Sequence, residues 1–479
     1  MAMTRTVCNP ITLPDYPRGR LSIGATQATF GYLQDPPQDY RELADPSVLY
    51  HEGRWYLYPS CGMAWVTEDF QTWTHHRIEP FDIGYAPTIV RHGDRFLLTA
   101  CQAGIWSAPT PLGPFTLLGP LRGVDGAEVE AFNDPMLFSD DDGRLYAYWG
   151  LGPPGLFAAE VDPQDCTRLI TPPQLVLQYD PQVVWERYGE YHEDASRSYI
   201  EGPWMVKVAG GYYLTYAAPG TEWKTYGMGA ARGTSPLGPF TRQRRTPFCQ
   251  RTEGLVQGPG HGCIVRGPRD TLWAFYTCRL CYEHIFERRL GFDPCGVDAD
   301  GELYVNVSEF PQYAPGVLEK PELGNLAGLL PMNHRRRVRT SSTAPGRNGL
   351  YAVDNCLHTW WEPAVGDAAP WLEQDLGISA AVEAVRLVWR DVDLDYEKGR
   401  VPGPIRWRLE GAKAEGPFQI LVDASDNPQD LLIDYRTFPT RMVSRIRLVV
   451  VGWPAGLRPG VTDISVFGCA SVPDGRSLT

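Results

Sequence analysis

No run of the 479 residues approaches the roughly 18 uncharged apolar residues of a membrane-spanning helix. The most apolar stretch, residues 448–453, is long enough only for a strand. Positive charge is also short: 44 basic residues against 57 acidic leave a net charge of −13, the wrong sign for gripping phosphate backbones or anionic lipid. Membranes and nucleic acids are therefore not expected partners. The first residues, MAMTRTVCNPITLPDYPRGR, contain no apolar core followed by a small-residue cleavage site, which predicts a cytosolic chain, or a secreted one already trimmed. The eleven cysteines form no repeating frame, and an odd number suits free thiols in a reducing compartment. Cys278 and Cys281 make a lone CxxC with no second pair at zinc-ligand spacing and read as two buried strand thiols. Glycine (49) and proline (43) stay below the low-complexity range of about 25–30%. A hydrophobic share of 43% with 12% aromatics can fill real cores, and the length calls for at least two of them.

Internal repetition fills the first three hundred residues. DPSVLYHEGRWYLYPS from Asp45 holds an apolar strand, a charged Gly turn and an alternating aromatic strand, which is a β-hairpin pattern. The plan returns at Ala86 (APTIVRHGDRFLLTA), Asn133 (NDPMLFSDDDGRLYAYWG), Glu201 (EGPWMVKVAGGYYLTYAA) and, more loosely, Gly258 (GPGHGCIVRGPRDTLWAFYT). Weaker strand pairs lie between copies, and the hexapeptide PLGPFT occurs at both 111–116 and 236–241. Five radially arranged sheets that bury one another's faces predict an all-β, five-bladed β-propeller over residues 1–317.

In a propeller the innermost strands converge on the axis, so the residue opening each copy faces a shared pocket. Asp45 (ADPSV), Asp134 (NDPML) and Glu201 (IEGPW) open the first, third and fourth copies. One such pair is an ordinary turn start. Three carboxylates at corresponding places would crowd like charge on one axis, at a cost that chemistry can justify. Glycosidic hydrolysis needs such a set: one carboxylate to activate water, one carboxylic acid to protonate the leaving oxygen, and neighbours that push their pKa values apart.

The openings ADPSV, NDPM and EGPW with a downstream GPGH resemble glycoside hydrolase family 43, a family of five-bladed propellers, over residues 9–315. The resemblance implies that Asp45 is the general base, Asp134 the residue that orients and tunes the acid, and Glu201 the general acid, with inversion at the anomeric carbon. It implies an α-L-arabinofuranosidase or β-D-xylosidase that removes terminal pentosyl residues from plant-derived oligosaccharides. The alternatives are a galactan-active glycosidase of the same family, or a non-catalytic carbohydrate-binding propeller. His261, in GPGHG, matches an axial histidine that helps hold a calcium ion or water at the pocket floor, which makes it a substrate-side residue and a metal ligand by resemblance. Arg289, in ERRLGFDP, matches the point from which an arginine reaches the substrate, with Arg288 a near-equal choice. Among Trp65, Trp106, Trp204 and Trp223, Trp106 is the first choice for a wall that stacks on sugar rings.

Residues 318–339 lose the periodicity to Pro, Gly and a basic cluster and read as a linker. Beyond it, over residues 340–479, short strands such as AVRLVWRDV, IRWRLEGA, FQILVDAS, SRIRLVVVGW and VTDISVFG predict a β-sandwich of jelly-roll, galactose-binding-like type. YAVDNCLHTWWEP, PWLEQDLG and AVRLVW resemble the discoidin, or coagulation factor 5/8 C-type, domain. Asp354 and Trp360 match positions that fix that sandwich, so the resemblance leaves packing and sugar capture both open as its role.

Overall fold

A computed structural model describes residues 5–14, 42–60, 63–78, 84–282, 285–395 and 398–470. The described chain is nearly all strand, and none of its helices is long and apolar enough to cross a membrane. It divides into two compact units.

The larger unit carries five four-stranded antiparallel sheets in strict sequence order, which are the five expected blades. Their innermost strands are Ser47–His51, Thr88–His92, Met136–Ser139, Glu201–Val208 and Gly260–Arg266. Each repeat motif supplies the first two strands of its blade. The charged Gly turn sits between them, as at Glu52 and Gly53, both with positive φ, which lets the chain reverse in two residues.

The alternating aromatic strands bury both faces between neighbouring blades. Tyr56, Tyr58, Ile89, Phe96 and Leu98 fill the space between the first and second blades, while Leu97, Leu137, Leu145 and Trp149 fill the next. The ring closes where Phe70 of the first blade stacks on Phe292 of the fifth, centroids 4.7 Å apart, beside Trp55 and Phe275.

The two PLGPFT copies do the same job. Each leads into the outermost strand of its blade (Thr116–Gly119 and Thr241–Arg242). Each also takes a tyrosine hydroxyl from the preceding blade: Tyr58 donates to the carbonyl of Pro111, and Tyr148 to that of Pro236.

The smaller unit is built on a seven-stranded antiparallel sheet whose longest members are Trp371–Val392 and Ile433–Gly452. Register shifts at Asp375/Ala380 and Val382/Ala384 break these long strands into segments. Trp361, Trp389 and Trp407 are fully buried in this unit. The arrangement is consistent with the expected β-sandwich.

Two boundaries differ from those expected. The stretch read as a linker contains the edge strand Leu330–Pro331, paired with Phe467 and Gly468, and most of the edge strand Val338–Thr340, paired with residues 372–374. The N-terminal segment does not belong to the propeller: Thr6–Val7 pairs with Gln312–Tyr313, and residues 5–14, together with 309–317, fall in the smaller unit. The reason is a buried cation. Arg386 is 2% exposed and donates to the carbonyls of Asn9 (2.9 Å) and Glu309 (2.7 Å), so both segments must be present to solvate it.

Candidate active site

At or just before the start of each innermost strand, one residue adopts a left-handed conformation: Asp45 (φ 47), Ala86 (47), Asp134 (46), Gly202 (57) and His261 (34). Four of the five precede proline, and the fifth, His261, precedes Gly262 at a register shift. For a residue with a Cβ this backbone is strained, and strain at a shared axis marks a built site. The ring also refines the correspondence read from sequence. Asp45 and Asp134 are equivalent, whereas Glu201 stands one residue earlier, because Gly202 takes the left-handed place in its blade. Glycine is required there for a second reason: a Cβ on residue 202 would lie 2.7 Å from the His261 ring.

Asp45, Asp134, Glu201 and His261 line a single cavity of about 260 Å³, together with Tyr85, Tyr199, Glu222, Phe286 and Arg288 among others. Ser60, Arg288 and Thr277 donate hydrogen bonds to Asp45, with His261 beside it. Ser60 Oγ donates to Oδ2 at 2.7 Å, Arg288 reaches both oxygens at 3.0 and 3.2 Å, Thr277 Oγ1 is 3.4 Å from Oδ1, and His261 Nδ1 is 3.6 Å away. Burial alone would raise its pKa, but the Arg288 and His261 charges and the two hydroxyls outweigh it and hold the carboxyl below the usual range.

Glu201 has the opposite environment. Burial, the neighbouring Asp134 charge and, further off, Asp45 and Glu222 push it well above the usual range, against a hydrogen bond donated by Tyr226. Asp134 lies between them in character, raised by burial and by Asp45 while His261 opposes. Its Oδ1 accepts from Cys101 Sγ at 3.2 Å, its Oδ2 accepts the Gly202 N–H at 3.2 Å, and His261 Nδ1 is 3.7 Å from Oδ2. Within one cavity the surroundings thus favour the charged form of one carboxyl and the protonated form of another.

The other expected site residues fare differently. Trp106 lies on the third strand of the second blade, Ile105–Ala108, against the apolar cluster between blades, and does not line the cavity. Trp65 is fully buried, and Trp204 packs between the fourth and fifth blades with Nε1 on the carbonyl of Ile264. The aromatic walls are instead Tyr85, Tyr199 and Phe286. Arg288, not Arg289, enters the cavity. The two are successive on the strand Arg288–Val297 and so point to opposite faces, and Arg289 is buried with Nη1 on the carbonyl of Arg288.

Sequence reasoning also missed Glu42, which is buried and binds Arg288 and Tyr85, and Glu222, which accepts from Tyr188. The residues beside His261 do not form a calcium cage. Asp45 is already saturated by a guanidinium and hydroxyls, and among the described residues no group of three or more His, Cys, Asp or Glu is placed to hold a metal ion.

The β-D-galactofuranosidase xynD of Aspergillus niger is 25% identical over 283 residues, covering 52% of this chain and 77% of its own. A xylosidase/arabinosidase of Bacteroides ovatus is 22% identical over 326 residues, covering 52% and 93%. A β-xylosidase of Xylanibacter ruminicola is 24% identical over 276 residues, covering 43% and 79%. Among solved structures, the GH43 BlXynB protein of Bacillus licheniformis aligns over 98% of this chain and all of its own at 14% identity and a TM-score of 0.48. Residues 35–303, more than half of the chain and nearly the whole propeller, match glycosyl hydrolases family 43. The protein belongs to that family and is a glycoside hydrolase.

Proposed function

We propose that the protein is an exo-acting, inverting glycosidase that removes terminal pentosyl residues from plant-derived oligosaccharides, as an α-L-arabinofuranosidase or β-D-xylosidase. The observation that carries the reading is that Asp45 and Glu201 share one cavity in opposite surroundings: Arg288 on Asp45 favours its charged form, while burial and the Asp134 charge favour the protonated form of Glu201. An inverting hydrolase needs one group in each state at the same pH.

In this reading a terminal sugar enters the cavity and a water sits on its far face. Asp45 takes a proton from that water as the water oxygen bonds to the anomeric carbon. The glycosidic C–O bond breaks, and Glu201 gives its proton to the departing oxygen. Charge builds up on the sugar ring, where the carboxylate of Asp45 favours it. His261, against Gly202, and Tyr226, on Glu201, hold the two carboxyl-bearing segments in place.

The aromatic walls Tyr85, Tyr199 and Phe286 around the three carboxyls support the binding of a single terminal sugar. The relatives named β-xylosidase and xylosidase/arabinosidase support a pentose. The relative named β-D-galactofuranosidase keeps a hexofuranose as the second reading, since galactofuranose carries the same five-membered ring as arabinofuranose. A panel of p-nitrophenyl glycosides tests the choice. Turnover of the α-L-arabinofuranoside or β-D-xyloside is expected, and turnover of only the β-D-galactofuranoside would shift the assignment. No release from any of them, with measurable sugar affinity, would favour a binding propeller instead.

A further inference from the structure

The propeller uses one device three times. At the end of the second strand of a blade, or just beyond it, a small polar side chain accepts the main-chain N–H of the left-handed residue in the next blade. Ser60 Oγ takes the N–H of Ala86 (3.0 Å), Cys101 Sγ that of Asp134 (3.1 Å), and, across the ring closure, Thr277 Oγ1 that of Asp45 (2.8 Å). Where the left-handed residue is an aspartate, the same side chain also faces its carboxylate: Thr277 lies 3.4 Å from Oδ1 of Asp45, and Cys101 lies 3.2 Å from Oδ1 of Asp134. Two blades have a hydroxyl at this place and one has a thiol. Cys101 is 5% exposed, and burial first, then the Asp134 charge, keep its thiol protonated and so a permanent donor.

From this geometry we infer that Cys101 is a positioning residue for catalysis, whose S–H holds the Asp134 carboxylate anionic and oriented, so that the proton shared with Glu201 stays on Glu201. The inference rests on the roles given above to Asp134 and Glu201. These two carboxyls sit close enough to titrate as a pair, and a singly protonated pair has two forms. Only the form with the proton on Glu201 can protonate a leaving group. The groups that bias the choice come from every neighbouring blade: Cys101 and the Gly202 N–H on Asp134, His261 Nδ1 facing Asp134 and Asp45, Tyr226 on Glu201, Glu222 beyond it, and Arg288 neutralising Asp45. Of these, Cys101 is the side chain that donates a hydrogen bond to Asp134, so its loss disfavours only the states in which Asp134 is charged. The proton then moves toward Asp134, and the productive form becomes scarcer at every pH.

The test is a leaving-group comparison on the full-length protein. Cys101→Ala should lower kcat on a natural oligosaccharide by about tenfold, the size of one charge-assisted hydrogen bond, while leaving an activated aryl glycoside within about twofold. Cys101→Ser and Cys101→Thr, which restore the donor found in the other two blades, should return kcat to within about threefold of the parent. Glu201→Gln, measured alongside, should show the same selectivity more strongly. Equal losses on both substrates for Cys101→Ala, or an Ala variant as active as the Ser variant, would overturn the inference while leaving the Glu201 assignment standing. Absence of the leaving-group signature in Glu201→Gln would instead remove the assignment on which it rests.

Discussion

At the scale of single residues, the account is a division of labour between buried carboxyls, and that division has a thermodynamic consequence. Glu201 has a folded-state pKa raised above its unfolded value, so the proton it keeps stabilises the fold fully below the unfolded value of about 4.3, and the advantage is lost as pH rises toward the folded pKa. Glu201→Gln removes the titration. Its melting temperature should match the parent's in acid and exceed it at neutral pH, with the gap opening from about pH 4.3 upward. Thermal melts of the two proteins across pH would show this, and a constant gap would mean that Glu201 is not held protonated by the fold. Asp45 has the opposite sign: its lowered pKa contributes stability above the unfolded value of about 3.9 that is lost as pH falls through the folded pKa. Kinetically, Asp45→Asn should depress activated and natural glycosides alike, because a base that activates water serves every substrate. A substrate-dependent loss would indicate a positioning role only.

Asp45 and Asp134 were legible because a two-letter Asp-Pro opening returns in the first and third repeats, and Glu201 because its EGP opening differs only by the inserted glycine. Arg288 was not separable from Arg289, since which of two successive strand residues faces inward depends on the pairing register. Trp106 misled for the same reason: its strand is the third in its blade, and inter-blade packing claims its ring.

At the scale of elements, the long insert between the third and fourth blades carries the pocket residue Tyr199 and is fastened from below. Arg242, on the outermost strand of the fourth blade, donates to Glu186 Oε1 (2.6 Å) and Oε2 (3.0 Å) and to the carbonyl of Gln178, while Tyr216 also donates to Glu186 (2.6 Å). Glu186 is fully buried. Arg242→Ala would leave that buried side chain with only the Tyr216 hydroxyl and the Asp180 N–H as donors, a loss of about 3 kcal/mol read as a lower denaturation midpoint. Unchanged stability would mean that the clasp is idle. Tyr199 rides on the same segment, so the Michaelis constant should rise as well. This clasp was invisible in the sequence, where Glu186 and Arg242 stand 56 positions apart in stretches without periodicity. The blades themselves were visible, because two-residue alternation with aromatic residues survives in every inner hairpin.

At the scale of the whole molecule, residues 5–14 belong to the same unit as residues 398–470. Two-residue and three-residue edge strands such as Thr6–Val7, Leu330–Pro331 and Val338–Thr340 are too short to show alternation, which is why residues 5–14 were read as propeller and 318–339 as linker. Deleting the first fourteen residues takes Asn9 away from buried Arg386 and the strand partner away from Gln312–Tyr313. The smaller unit should then unfold at a lower temperature, in a transition that calorimetry separates from that of the propeller. Coincident, unshifted unfolding would show that the N-terminal segment is dispensable.

The central claim, that Asp45 activates water while Glu201 protonates the leaving group, is tested most directly by proton NMR of the first product released from the preferred glycoside. The account predicts a sugar of inverted anomeric configuration, formed before mutarotation, since water attacks in a single step from the Asp45 side. A retained configuration would require a carboxylate to bond the sugar covalently, and would contradict the assignment of Asp45 as a base.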